Sequence, residues 1–212
     1  MRNAVKTIGK VHLLAFALVA PALAQSLRSA PVPAVAGPAY DVSIGYTNLM
    51  MAIPGAGHAN LNGLNVSGSV RISPRWGVTA DSTYARTSTV LSTPHQGYVL
   101  GAHSGPVFYP FESRNTRVFV HGLAGFAIVD GAVPISATEY FHGWLGRLSY
   151  VAGGGVEHSI SESCALRVSG DYLRTEFYNS AGAVTPQNNL QLTVGVVFRL
   201  RDRRHRSANQ VQ

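Results

Sequence analysis

Apolar residues recur at every second position along most of this chain, and this alternation restricts the possible folds more than any other feature. In the segment LQLTVGVVFRL (190–200), one parity holds only apolar residues: Leu190, Leu192, Val194, Val196, Phe198 and Leu200. The other parity holds Gln191, Thr193, Gly195, Val197 and Arg199. A period of two is typical of β-strands with two different faces, whereas helices repeat every 3.6 residues. The sequence therefore predicts an all-β fold.

The alternation predicts eight strands and no helix. The predicted strands cover 39–50, 61–73, 75–86, 96–109, 115–129, 143–159, 163–177 and 188–201. Three short connections (SPR, PFESRN and ISES) are interleaved with four longer ones (MMAIPGAGHAN, TSTVLSTPHQ, DGAVPISATEYFH and NSAGAVTPQ). An even number of antiparallel strands, with short turns at one end and longer loops at the other, is typical of an up-and-down transmembrane β-barrel.

The polar parity distinguishes a membrane barrel from a soluble, lipocalin-like barrel, which would bury its apolar parity. In the predicted strands this parity consists mostly of Gly, Ser and Thr, with isolated charges. Small residues suit the narrow interior of an eight-stranded barrel, whereas a water-exposed face would carry Lys and Glu. Aromatic residues on the apolar parity lie near strand ends, as in interfacial girdles: Tyr40, Tyr46, Trp76, Tyr84, Tyr98, Trp144 and Tyr172. We therefore expect the apolar face to meet lipid.

The same assignment places nine charged residues in the lumen. The four acids are Asp41, Asp81, Glu157 and Asp171, and the five arginines are Arg71, Arg117, Arg147, Arg167 and Arg199. His103 and His121 are candidates to join them. Buried charges must be paired or hydrated, and the guanidinium fork matches a carboxylate. We therefore predict a plugged polar lumen, with a gated or ion-selective path as the alternative.

The two ends of the chain differ from the predicted barrel, which covers 39–201. Residues 1–24 are predicted to be a signal peptide, because Arg2, Lys6 and Lys10 flank or precede a short apolar run that ends in the small-x-small pattern ALA (22–24). That run is about a dozen residues, whereas a spanning helix needs roughly 20. An uncleaved anchor is the alternative. Residues 25–38 form a Pro-rich lead-in, and 202–212 form a basic, polar tail.

Charge and cysteine content narrow the possible partners. Without the predicted signal peptide, the chain carries 14 arginines, no lysine and 10 acidic residues, a net charge of +4. The single Cys164 has no partner for an internal disulfide. We do not expect nucleic acid as a partner for the basic stretch RDRRHR (201–206) of an exported protein. Lipid phosphates at the inner surface of the outer membrane are the predicted partner.

No pattern of catalytic or metal-binding residues is evident. His and Ser are adjacent in AHS (102–104) and EHS (157–159), so a strand directs them to opposite faces, which argues against a lipid A deacylase-like site. The histidines are scattered and lack zinc or calcium spacing. GGG (153–155) is not followed by the Lys-Ser/Thr of a phosphate loop. We predict no enzyme activity, no cofactor and no metal.

The last strand carries a specific resemblance. Thr193-x-Gly195-x-x-Phe198-x-Leu200 resembles the carboxyl-terminal assembly signal of bacterial outer-membrane proteins. It departs from the usual pattern in having Leu200 rather than Phe, and twelve residues follow it. This resemblance implies recognition by the barrel-assembly machinery.

A broader resemblance covers about 39–201. NLNGLNVSGSV (60–70), VAGGGVEHSISESCALRV (151–168), DYLRTEF (171–177) and QNNLQLTVGVVFRL (187–200) are similar to OmpA/OmpX-type eight-stranded outer-membrane β-barrel proteins, including acidobacterial ones. The resemblance implies a Gram-negative outer-membrane location, periplasmic termini and lipid as a partner. It identifies no surface ligand, and it leaves a structural or surface-interaction role, a porin-like channel and a lipid A-modifying enzyme as expectations of decreasing weight.

Overall fold

The computed structural model describes residues 39–90, 95–134, 140–178 and 183–201. Contacts divide the chain into two units, Met1–Pro33 and Ala34–Gln212, and all described residues belong to the second. The predicted signal peptide (1–24), lead-in (25–38) and basic tail (202–212) lie outside the described residues. Within the described ranges, no helix is long and apolar enough to cross a membrane.

Eight antiparallel strands form a closed barrel, which confirms the predicted fold class. The strands are β1 (Ala39–Ile53), β2 (Gly57–Arg71), β3 (Trp76–Thr87), β4 (Gly97–Glu112), β5 (Thr116–Pro134), β6 (Tyr140–Ser159), β7 (Cys164–Tyr178) and β8 (Val184–Arg201). Each strand pairs with its neighbours in sequence, and β8 closes the barrel against β1 from Ala39↔Arg201 to Met50↔Leu190. Closure satisfies the backbone groups that an open sheet would leave unpaired in lipid.

The connections define two ends of the barrel. The turn end carries the short links β2–β3, β4–β5 and β6–β7, and the loop end carries the other four links. At the loop end, the predicted lengths of three loops are wrong because the strands continue. The β1–β2 pairing runs to Ile53↔Gly57, the β5–β6 pairing to Pro134↔Tyr140, and the β7–β8 pairing to Tyr178↔Val184. Gly55 and Gly57 turn the first hairpin with positive φ angles of 87° and 125°.

The pairing register determines how wide the barrel is. A row of paired residues that starts at Val42 of β1 crosses the barrel to Asn188 of β8. Continued two residues beyond its last pair, Met50↔Leu190, the β1–β8 register places Asn188 beside Ala52, ten residues farther along β1 than Val42. For eight strands this stagger corresponds to a strand tilt of roughly 40° and to a narrow interior, wide enough for side chains or one small ligand.

The two parities separate as expected. Apolar residues of the outward parity are exposed along every strand, for example Ile44, Val66, Leu166 and Val194. The aromatic residues Tyr40 and Trp76 are exposed on this face near strand ends, as predicted. Tyr46 and Tyr172 are also exposed but lie in the middle of β1 and β7 rather than near their ends, and both strands run farther at the loop end than the sequence predicted. Most Ser, Thr and charged residues of the other parity are buried inside the barrel.

The polar lumen as candidate functional site

Seven charged side chains meet inside the barrel near the turn end, and we call them the charge layer. They come from seven strands and are Asp41, Arg71, Glu112, Arg117, Glu157, Arg167 and Arg199. Strand ends bring them together, because β1, β5 and β7 begin at the turn end and β2, β4, β6 and β8 finish there. The layer contains four arginines and three carboxylates.

Glu157 lies at the centre of the charge layer and has no exposed surface. Its Oε1 accepts hydrogen bonds from Arg167 Nη2 at 2.6 Å and Nε at 3.1 Å. Its Oε2 lies 3.3 Å from Arg117 Nη1 and 3.5 Å from Arg199 Nη2. One carboxylate therefore contacts guanidinium groups from three strands.

Arg117 links the remaining carboxylates. Its Nη1 donates to Asp41 Oδ2 at 2.6 Å, and its Nε donates to Glu112 Oε1 at 3.1 Å. Glu112 also accepts two hydrogen bonds from Arg71, at 2.7 and 3.3 Å. The guanidinium carbons of Arg71 and Arg117 lie 4.5 and 5.2 Å from the centre of the Tyr109 ring, so the ring adds cation–π contacts.

Glu112 and Tyr109 are the members of this arrangement that the sequence analysis missed. The β4–β5 register shifts between Phe108 and Phe111, so two residues of β4 oppose one residue of β5. This bulge exchanges the two faces of the strand, and Glu112 then points inward although the strict alternation directs it outward. Pro110 within the bulge is the signal that could have revealed it, because Pro in a strand often marks a bulge.

A polar layer follows the charge layer toward the middle of the lumen. His103 Nε2 and Ser149 Oγ are 2.7 Å apart, and His121 Nε2 lies 2.9 Å from Asp171 Oδ1. Asn65 donates to Asp81 Oδ2 at 2.5 Å. Asp81 Oδ1 is 3.9 Å from His103 Nδ1, too far for a hydrogen bond, and this buried nitrogen has no hydrogen-bond partner among the described residues. Both histidines therefore lie in the lumen with the acids.

A small cavity lies within the polar layer. A cavity of about 20 Å³ is lined by polar-layer residues together with Tyr109, Phe119 and Arg167. Gly153 and Gly155 leave room for neighbouring side chains. A Cβ at Gly153 would lie 2.1 Å from Asp171 Oδ1, and a Cβ at Gly155 would lie 3.0 Å from Phe119 Cε1. Such a cavity has room for one or two water molecules.

An apolar layer fills the lumen at the loop end. It contains the buried residues Leu49, Met51, Ile53, Ala59, Leu61, Ala85, Val99, Leu123, Ala127, Val151, Leu173 and Phe177. The inward parity is therefore apolar here, although the sequence analysis described it as small and polar. Met51 and Ile53, which the analysis placed in a loop, are buried inside the barrel at 9% and 8% exposure. The alternation continues into the predicted loop because these side chains have a core to enter.

Arg147 is the one predicted lumen charge that stands apart. Its backbone pairs with Ala127, whose side chain is buried, so it lies on the inward parity. Its own side chain is exposed, and no described residue forms an ion pair with it. Arg147 lies near the loop end, where the described interior is apolar, whereas the described lumen carboxylates lie nearer the turn end.

The predicted assembly-signal residues divide between the two faces of β8. Thr193 points inward and lies 3.0 Å from the hydroxyl of Thr47. Gly195 faces Gly45 across the β1–β8 seam, where a Cβ at Gly195 would lie 2.6 Å from Gly45 Cα. Phe198 and Leu200 are exposed on the outward face. The glycine pair permits a close approach where the barrel closes.

The candidate chemical groups of the sequence analysis are separated in space. His158 is exposed at the turn end, whereas His103 is buried in the lumen. In the described ranges, no group of three or more His, Cys, Asp and Glu side chains is arranged to hold a metal ion.

A closed barrel of eight antiparallel strands, apolar outside and charged within, is the architecture of small outer-membrane proteins. A family model described as "Outer membrane protein beta-barrel domain" matches residues 12–198. The chain belongs to this family. Membership confirms the resemblance inferred from the sequence and implies the Gram-negative outer membrane as its location. No match was found among curated protein sequences.

Solved structures of outer-membrane proteins share this fold. Ail, the attachment invasion locus protein of Yersinia pestis, is 16% identical with a TM-score of 0.56, over 78% of this chain and 100% of Ail. Neisserial surface protein A is 14% identical with a TM-score of 0.59, over 77% of this chain and 99% of that protein. OprG from Pseudomonas aeruginosa is 10% identical with a TM-score of 0.51, over 77% of this chain and 96% of OprG. At these identities the likeness concerns the fold alone.

Proposed function

We propose that this outer-membrane barrel has a closed lumen and a structural or surface-interaction role, exercised through its four connections at the loop end. The observation that carries the proposal is the layering of the lumen. The charge layer and the apolar layer lie on either side of a polar layer whose cavity measures about 20 Å³. A path for ions would have to separate buried ion pairs, which costs several kcal/mol per uncompensated charge.

The orientation follows from the connection lengths. In outer-membrane barrels the short turns face the periplasm and the longer loops face outward. We therefore assign the turn end to the periplasm. The first residue of β1 and the last residue of β8 lie at this end. Alkylation of a cysteine introduced at Ala56, in the β1–β2 turn, by an impermeant reagent on intact cells tests this orientation. Labelling only after the outer membrane is broken would contradict it.

A surface-interaction role agrees with the structural relatives. Ail is described as an attachment invasion locus protein, and one structure of it contains the heparin analogue sucrose octasulfate. The loop-end connections of this chain are the segments able to present side chains beyond the membrane. Bacteria that carry the chain with each connection shortened in turn should bind immobilised heparin less well than bacteria with the full chain. Unchanged binding by every shortened form would remove the surface role and leave the structural one.

We propose no catalytic role. His103 and Ser149 are close enough for proton transfer, but both are buried in the lumen, and Asp81 does not orient the imidazole. A lipid on the outer face has no route to this pair. Release of acyl chains from lipid A by the wild-type chain, lost in His103→Ala or His158→Ala, would favour the enzyme alternative.

Planar-bilayer recording tests the closed lumen directly. The refolded full chain should insert without producing a steady current at neutral pH. The same preparation should show heat-modifiable gel mobility, which proves that folded barrels are present. A large, steady open current would refute the closed lumen and favour the small-channel alternative. Family membership sets aside the soluble, lipocalin-like alternative.

During biogenesis and afterwards, the partners we propose are the barrel-assembly machinery and outer-membrane lipid. The assembly signal is supported by Phe198 and Leu200, whose exposed side chains lie on the outward face of the closing strand. The arginines of the tail are assigned to lipid phosphates at the periplasmic surface. Loss of assembly after Phe198→Ser, with normal folding of the same variant in detergent, would support a signal that the machinery reads.

A further inference from the structure

The polar layer contains two pairs of a histidine and an aspartate, and only one pair is in contact. His121 Nε2 lies 2.9 Å from Asp171 Oδ1, which is hydrogen-bonding distance. His103 and Asp81 face each other across the β3–β4 pairing, but His103 Nδ1 and Asp81 Oδ1 are 3.9 Å apart. We call this separation the His103–Asp81 gap. The same kind of contact is therefore formed at one place in the layer and open at the other.

The position of one hydrogen atom accounts for the gap. A neutral imidazole carries a hydrogen on one nitrogen, and its other nitrogen is an acceptor. His103 Nε2 lies 2.7 Å from Ser149 Oγ, so a hydrogen on Nε2 is donated to this hydroxyl. His103 Nδ1 then presents a lone pair to the carboxylate of Asp81, and two acceptors do not attract each other. A hydrogen on Nδ1 would instead draw the carboxylate into a hydrogen bond.

Protonation of His103 gives both ring nitrogens a partner. An imidazolium ion donates from Nδ1 and Nε2 at once, so protonated His103 keeps Ser149 and gains Asp81. Histidine is the side chain that ordinarily changes its charge between about pH 5 and about pH 8. His121 differs, because its Nε2 donates to Asp171 in the neutral and in the charged state alike. Acidification therefore adds a contact at His103 but not at His121.

The charges of the described lumen favour the uptake of one proton. The charge layer holds four arginines and three carboxylates, and the polar layer adds the carboxylates of Asp81 and Asp171. Five carboxylates thus face four guanidinium groups while both histidines are neutral. One proton on His103 makes the positive and negative charges equal in number, and uncompensated buried charge is costly. The proton also lies beside Asp81, to which only the neutral Asn65 donates a hydrogen bond among the described side chains.

The surroundings of His103 leave Asp81 as its acidic neighbour. Across the strand pairings β5 presents Gly125 to His103, and on β6 the neutral Ser149 is its hydrogen-bond partner. Asp171, farther along the polar layer, already has His121 as a partner. The titratable and charged groups of the lumen around His103 are Asp81 on β3, His121 on β5, the exposed Arg147 on β6, and Arg167 and Asp171 on β7.

Closing the gap connects two separate sets of hydrogen bonds. In the first set, Asn65 Nδ2 donates to Asp81 Oδ2 at 2.5 Å and to Thr83 Oγ1 at 2.8 Å. Gln191 Nε2 of β8 donates to the same Thr83 hydroxyl at 3.2 Å. The second set is the contact of His103 with its partner on β6. A hydrogen bond from His103 to Asp81 therefore links β4 and β6 to β2, β3 and β8 across the lumen.

We infer that His103 is an acid-dependent switch in the lumen, whose protonation closes the His103–Asp81 gap and links the two sides of the polar layer. The switch regulates the closed lumen proposed above and therefore rests on that proposal. In acid both the charge layer and the switch hold the lumen together, whereas in alkali the charge layer does so alone. Because charged His103 gains Asp81 only in the folded barrel, the added stability is present in acid and is lost as the pH rises.

The test compares urea unfolding of the full chain, refolded in lipid vesicles, at about pH 5.5 and about pH 8. His103→Gln keeps a donor toward Ser149 but takes up no proton. Between the higher and the lower pH, the equilibrium constant for unfolding of the wild type should fall at least about tenfold more than that of His103→Gln. The other titrating groups are present in both chains, so the difference reports His103.

Two further variants separate the switch from a general effect of substitution. Asp81→Asn removes the charged acceptor while His103 stays in place, and it should lose the same pH dependence. His158→Gln is the matched control, because His158 is exposed at the turn end, and it should keep the pH dependence of the wild type. If His103→Gln does not fold, nitrogen NMR of the wild type in lipid nanodiscs decides. His103 Nδ1 should gain a hydrogen-bonded proton in acid, and this proton should be absent in Asp81→Asn.

Equal pH dependence in the wild type, His103→Gln and Asp81→Asn would overturn the switch. A wild type that loses stability in acid relative to His103→Gln would also overturn it, because burial would then disfavour the imidazolium ion. Planar-bilayer recording at both pH values separates the switch from the proposal on which it rests. A closed lumen without a pH effect that depends on His103 ends the switch alone, whereas a large, steady current at both pH values ends the closed lumen and the switch with it.

Discussion

Replacing Glu157 by glutamine removes one negative charge from the centre of the charge layer while almost preserving the volume of the side chain. Glu157 has no exposed surface, and its two oxygens face Arg117, Arg167 and Arg199 at 2.6–3.5 Å. Bulk water does not reach this position to hydrate the arginines that lose their partner. The substitution leaves the layer with four arginines and two carboxylates.

The expected cost follows from this count. Breaking a buried ion pair by removing one partner typically lowers stability by about 3–5 kcal/mol, because the remaining charge is buried without compensation. Here three guanidinium groups lose a shared partner, but Arg117 retains Asp41 and Glu112. We therefore expect Glu157→Gln to lower the free energy of unfolding by about 3–5 kcal/mol, with the fold retained if total stability lies in the usual range of about 5–15 kcal/mol.

Urea unfolding of the barrel refolded in lipid vesicles measures this loss, with heat-modifiable mobility as the readout of folded protein. Glu176→Gln is the matched control, since Glu176 is exposed at the loop end and forms no described ion pair. It should leave the unfolding midpoint unchanged. A Glu157→Gln variant within about 1 kcal/mol of wild type would refute the view that buried pairing holds the charge layer together.

A double variant separates charge balance from local packing. Among the described polar contacts, the Arg199 guanidinium group has only Glu157, at 3.5 Å, and Ser159 Oγ, at 2.8 Å. Adding Arg199→Gln to Glu157→Gln restores the original excess of one positive charge. The double variant should be no less stable than Glu157→Gln alone. A fully additive loss would point to packing instead.

Three further predictions concern the rest of the molecule. Gly153→Ala should destabilise the barrel, because its Cβ would meet Asp171 Oδ1 at 2.1 Å, whereas Gly68→Ala, with no atom within 4 Å, should not; urea midpoints decide. Phe177→Ala should cost about 3–5 kcal/mol by opening a cavity in the apolar layer, whereas exposed Phe198→Ala in the refolded barrel should cost far less. Changing Arg201 at the end of β8 and the tail residues Arg203, Arg204 and Arg206 to glutamine should leave folding intact. It should weaken binding to anionic vesicles by about 1 kcal/mol per arginine, measured by co-sedimentation against neutral vesicles.

Much of the candidate site could be predicted because the lumen parity is written in the sequence. Asp41, Arg117, Glu157, Arg167 and Arg199 were assigned to the interior from alternation alone, and the structure brings them into one layer. Their pairing could not be predicted. Arg117 and Asp41 are 76 residues apart, and only the closed register places them at the same height.

The sequence by itself determined the number of strands, their antiparallel order, the outward apolar face and the family. These features depend on the two-residue period and on the order of short and long connections, and neither requires knowledge of contacts between strands. The tertiary structure alone decided that Glu112 turns inward at a bulge, that Met51 and Ile53 belong to the core, and that Arg147 stays outside the charge layer. Each of these depends on what lies across the lumen at a given height. That height is set by the stagger between strands, a property of the closed barrel that no single strand carries.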